Sequence, residues 1–99
     1  MNNEIMEKIF KKSDSVVFRK IADEYVLVPL HQEAIDLEAL FSFNETAARI
    51  WDLIDGKRNG SDIAEVISRE FKQPKEGIEK DVIEFFIKLK ELNFIVDVK

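Results

Sequence analysis

Ninety-nine residues make one domain, and 45% hydrophobic with 35% charged residues is the composition of an ordinary soluble globular chain. The lack of cysteine excludes disulfides, thiolate metal sites, iron–sulfur ligation and cysteine nucleophiles. A net charge of −5 argues against a nucleic-acid binder, no apolar run approaches the ~20 residues of a membrane span, and the acid-bearing N-terminus is no signal peptide, so the expected location is the cytoplasm.

Residues 1–15 are expected to be a peripheral segment, in which Ile5, Met6, Ile9 and Phe10 form a short amphipathic helix or pack loosely on a domain spanning 16–99. Residues 16–21 (VVFRKI) and 24–29 (EYVLVP) are rich in β-branched and aromatic side chains and predict two strands. Ala22 and Asp23 between them make a tight turn, so the pair reads as an antiparallel hairpin. Pro29 lacks an N–H and ends the second strand or sits at its edge. After a connection over 30–36, a third strand is predicted over 37–43. Leu37, Ala39, Phe41 and Phe43 face one side of it, and Glu38, Leu40 and Ser42 the other.

The third strand enters a helix with no loop between. Asn44 is its N-cap, Ala47, Ile50, Trp51 and Ile54 form its apolar face, and Gly56 is its stop, giving a helix over 45–55 with Trp51 in the core. A second helix is expected after Ser61 as N-cap, carrying Ile63, Ala64, Val66, Ile67 and Phe71. A third runs from near Pro74 to about Asn93, which suits the left-handed position past a helix end. Residues 94–98 alternate and predict a short last strand. The fold class is α+β: a three-stranded antiparallel β-meander followed by three helices, in a winged helix-turn-helix-like arrangement.

On a helical wheel at ~100° per residue, Ile78, Val82, Phe85, Phe86, Leu89 and Leu92 cluster on one side of the third helix. Ile83 and Ile87 lie beyond Phe86, with Lys90 beside them. This apolar arc is wider than one packing interface needs. Two readings stay open: Ile83 and Ile87 pack under the meander or the N-terminal segment, or they wall a groove for a partner.

Nothing in the chain reads as catalytic. His31 is the only histidine and stands in a polar connection, so no second imidazole completes a zinc site. No catalytic-serine or zinc-protease motif occurs, the three glycines do not make a phosphate loop, and the helical carboxylates read as solvated faces. No cofactor is expected. A winged-helix DNA-binding regulator is the alternative function. Its reader helix would be residues 75–93, which hold four lysines, no arginine and five acids. That composition is poor for phosphate and base contacts. A different mode fits better. If the third strand is an edge, its free backbone groups can template an added strand, and a helix beside it supplies a second wall.

Three blocks carry a family resemblance: VVFRKIADEYVLVP, LFSFNETAARIWDLIDGKRNGSDIAEVI and IEKDVIEFFIKLKELNFI. In order and spacing they resemble the PqqD-like proteins, also called recognition elements for ribosomally synthesised and post-translationally modified peptides (RiPPs). The middle block is similar to the family's L-N-E-x-A-x-x-I-W-x-L-[IL]-D-G, with Phe43 in the Leu position. The last is similar to its D-V-x-x-F motif, with Asp81, Val82 and Phe85 in register. The resemblance implies a non-catalytic adaptor that binds the leader of a precursor peptide and presents it to a modifying enzyme, such as a radical-SAM maturase or a leader protease. Pyrroloquinoline quinone assembly is one such pathway. Neither nucleic acid nor membrane is an implied partner. The leader is expected to add beside the third strand and lie against the third helix. Carried over by position, this names Glu38, Ala39, Leu40, Phe41 and Ser42 on the strand, and Ile83, Phe86, Ile87 and Lys90 on the helix. The connection over 30–36 is longer than the short loop common in the family, and Leu40 stands where many members carry an aromatic residue.

Overall fold

The computed structural model describes residues 4–30 and 41–98. Its elements are α1 (Glu4–Glu7), β1 (Phe10–Lys12), β2 (Val16–Ile21), β3 (Glu24–Pro29), β4 (Phe41–Phe43), α2 (Glu45–Leu53), α3 (Gly60–Phe71), α4 (Lys75–Glu91) and β5 (Ile95–Asp97). Strands β2, β3 and β4 form an antiparallel sheet in that order, and β1 pairs with β5 in a separate two-stranded ribbon. The expected hairpin therefore spans the residues read from the sequence. Its two-residue loop holds Ala22 at φ 55°, a left-handed position where glycine is at ease and alanine is not. Of the predicted third strand, residues 37–40 lie outside the described residues and 41–43 are strand.

Asn44 caps α2 as expected, its side chain accepting from the Ala47 N–H at 2.9 Å. Trp51 is buried beside Ile50, Leu53 and Ile54. The helix ends at Leu53 with an extended Ile54 as its cap, two residues before the predicted end, so Gly56 is not its stop. Gly56 takes φ 80° in the turn beyond and donates its N–H to the Phe10 carbonyl, which ties down β1. The cap of α3 is not Ser61 but Asn59. Asp62, three residues on, accepts from the Asn59 N–H while the Asn59 side chain accepts from the Asp62 N–H, a reciprocal capping box. Gly60 then opens the helix where Met6 crosses it, and a Cβ there would stand 2.8 Å from Met6 Sδ. At the end of α4, Asn93 takes φ 61°. Its N–H bonds to Lys90 O and the Phe94 N–H to Leu89 O, so the helix closes in a Schellman motif.

The core gathers α2, α3 and α4 around Ile50, Trp51, Ile63, Ile67, Val82 and Leu89, with Leu27 entering from the sheet. The N-terminal segment is part of it rather than peripheral. Met6 and Phe10 are buried, and the Phe10 ring meets Phe86 edge-on at 5.1 Å. The alternating residues 94–98 supply the reason: β5 has no neighbour in the three-stranded sheet and takes β1 instead, which carries Phe10 onto α4. Among the described residues no polar side chain is buried, and no helix is long and apolar enough to cross a membrane.

Candidate functional site

The phase of the sheet decides which backbone groups of β4 are available. Leu30 donates its N–H to Ser15 O at 2.8 Å, just beyond the Val16–Pro29 pair. Backbone groups alternate sides along a strand, so even-numbered residues of β3 point theirs at β2 and odd-numbered ones point away from it. The N–H that Pro29 lacks thus falls on the side away from β2. Tyr25 and Leu27 face β4, where they lie opposite Phe43 and Phe41. Ser42 lies between, opposite Val26. Its N–H and C=O therefore turn outward, to the edge of the sheet that no described strand occupies.

An open groove of about 510 Å³ separates the end of β4 and the start of α2 from α4. Its floor is Phe43, Ala47, Ile50 and Phe85, and its rim carries Asn44, Thr46, Asp81, Glu84 and Lys88. The Phe43 and Phe85 rings lie 5.6 Å apart and join sheet to helix. Phe43 is held from the other side by Tyr25 and Phe18, 6.4 Å and 6.0 Å away, while Phe18 stacks on Tyr25 at 5.9 Å. This aromatic row exists because directly opposite residues share a face: Phe18 faces Leu27 and Tyr25 faces Phe43, all on the inner side.

Glu38, Ala39 and Leu40 lie outside the described residues. Phe41 and Ser42 lie on β4 as expected. The four helix residues are elsewhere than expected. Phe86 is 1% exposed beneath Phe10, and Lys90 sits 5.7 Å over the Phe10 ring and 3.6 Å from the Asp97 carboxylate. Ile83 and Ile87 share the Lys90 flank by helical spacing, Ile83 part-buried and Ile87 46% exposed. None of the four lines the groove. The flank of α4 that meets the β4 edge is instead Asp81, Glu84, Phe85 and Lys88. The wheel sorted residues by hydropathy, and this flank is mostly charged. The signal that could have found it is Phe85, the core residue nearest Asp81 and Lys88 on the wheel.

The chemistry of the site is that of a binding surface. Among the described residues no group of acids or histidines is placed to hold a metal. The titrating groups that shift belong to surface ion pairs away from the groove. Arg49 makes a two-pronged bond to Glu70, at 2.8 and 2.7 Å, which raises the guanidinium and holds the Glu70 carboxyl below its ordinary range. Asp55 is lowered by the Lys57 and Arg58 N–H groups and by the Arg58 guanidinium.

Comparison with known proteins points the same way. Residues 24–95 match the family of coenzyme PQQ synthesis protein D (PqqD). No curated protein matches the chain. Two solved structures resemble it. One is TbiB1 in complex with the TbiA(β) leader peptide: 27% identical, TM-score 0.68, covering 86% of this chain and 93% of that one. The other is the solution NMR structure of the PqqD truncation of Methylobacterium extorquens PqqCD, a functional and stand-alone RiPP recognition element. It is 18% identical with TM-score 0.70, covers 89% of this chain and 88% of that one, and shares the fold. The family match spans well over half of the sequence, and the chain belongs to the PqqD family.

Proposed function

We propose that this protein is a non-catalytic adaptor that binds the leader segment of a ribosomally made precursor peptide as an added strand and presents it to a modifying enzyme, such as a radical-SAM maturase or a leader protease. The observation that carries the reading is the outward-turned backbone of Ser42 at a sheet edge beside a groove with an apolar floor. Backbone pairing with β4 supplies affinity that any sequence can use, and the Phe43–Phe85 floor supplies side-chain selection. The residue proposed to pair with the peptide through its backbone is Ser42, with Phe43, Phe85 and the charged rim beside it. The TbiB1 neighbour, solved in complex with a leader peptide, supports the choice of ligand. In this reading the protein works in the cytoplasm, where precursors are made.

The test is calorimetric titration with synthetic leader segments of candidate precursor peptides, against wild type and Ser42→Pro. Proline removes the outward donor, so a variant that melts normally should lose binding by at least tenfold. A folded Ser42→Pro chain that binds the leader as tightly as wild type would rule out addition at β4.

A further inference from the structure

The groove's rim is not neutral in its layout. Asp81 and Glu84 stand one helical turn apart on its helix wall, and both are exposed. Among the described residues neither makes an ion pair, although Asp52, Asp55, Glu65, Glu70 and Asp97 all do. Lys88 lies one turn beyond Glu84, at a spacing where a pair is easily made, yet that pair is not formed. The helix wall is therefore acidic at Asp81 and Glu84, apolar at Phe85 and basic at Lys88. The floor between, of Phe43, Ile50 and Phe85, has no polar side chain to receive a hydrogen-bonding group.

An occupant that complements this wall has a definite pattern. In an added strand, residues two apart face the same side and lie ~6.8 Å from each other. Along the helix Glu84 and Asp81 stand ~1.5 Å and ~6 Å from Phe85 at 1.5 Å per residue, both within reach of a long basic side chain. We propose, on the strand-addition reading above, that the groove takes a peptide segment in which an apolar side chain fills the Phe43–Phe85 floor. A lysine or arginine two residues away meets Asp81 and Glu84. Like charge at that position is disfavoured, so the acids act as a filter as well as an attraction.

A displayed random 12-residue peptide library, selected on the full chain and counter-selected on Ser42→Pro, tests this. The same selection is run on the Asp81→Lys/Glu84→Lys double variant, whose two sites are surface positions. Wild type should return binders with an apolar residue and a basic residue two apart, and the double variant should return acidic residues in the basic position. Changing that basic residue to glutamate in a synthesised binder should weaken wild-type binding about three- to tenfold. Ser42-dependent binders with no basic preference, or the same preference on both proteins, would overturn the charge filter and leave the adaptor reading standing. No Ser42-dependent binder from either selection would remove strand addition and the filter with it.

Discussion

The two flanks of α4 carry opposite chemistry and meet opposite fates. The flank with Ile83, Phe86 and Ile87 is the apolar one, and the chain largely covers it itself: Phe10 lies on Phe86, and Lys90 reaches over Phe10 to Asp97. The flank with Asp81, Glu84 and Lys88 is charged, and it opens onto the sheet edge. Apolar width on a helix thus reports how many neighbours the helix has. It does not say which neighbour is missing. In this chain Phe10 and Met6, from the segment that looked peripheral, cover Phe86, while Ile87 stays 46% exposed.

That contrast can be broken first at its covered flank. Phe10→Ala removes a buried ring that meets Phe86 edge-on and should cost ~3–5 kcal/mol in urea unfolding, a large part of a small domain's stability. A loss under ~1 kcal/mol would show that the segment is no part of the core. Gly60→Ala presses on the same seam, since the new methyl meets Met6 Sδ and, at 3.1 Å, both Met6 Cα and Phe86. It should cost ~1–3 kcal/mol, and Met6→Ala in the same chain should recover part of that loss.

A smaller effect lies away from both flanks, at the Arg49–Glu70 link between α2 and α3. The Arg49 bond lowers the folded pKa of Glu70, so its contribution is complete above the ordinary carboxyl value of 4.5 and fades as pH falls through the lower folded value. Glu70→Gln should therefore melt slightly below wild type at pH 7, and the gap should close in acid. A gap that widens in acid would contradict the link. The smallest effect is expected at Ile87, 46% exposed on the flank away from the groove. Ile87→Ser should change stability by less than ~0.5 kcal/mol and leave leader affinity unchanged. Weakened affinity in that variant would return the peptide to the flank that hydropathy alone selects.

How much of this was legible in the sequence depends on the range of the interaction. The hairpin at residues 16–29, the Asn44 cap and the left-handed Asn93 are local, written in turn chemistry and period, and all three were read. The start of α3 was misplaced because Ser61 and Asn59 are both good caps. The Asn59–Asp62 reciprocal bond and the crossing of Met6 at Gly60 decide between them, and the second is a tertiary fact. The peripheral reading of residues 1–15 failed for the same reason. A three-residue strand such as β1 gains its meaning only from β5, some eighty residues away. At the site, the edge strand and the facing helix were legible as elements. The flank was not, because Phe43 meets Phe85 through a rotation of α4 that no periodicity encodes.

Amide hydrogen exchange at three successive residues tests the central claim most directly. In the free protein the N–H groups of Phe41 and Phe43 face β3 and should be protected, while that of Ser42 faces the open edge and should exchange fast. On addition of a bound leader peptide, the Ser42 amide should become protected and the other two should change little. A Ser42 amide that is already slow in the free chain, or that stays fast under saturating peptide, would contradict strand addition at β4.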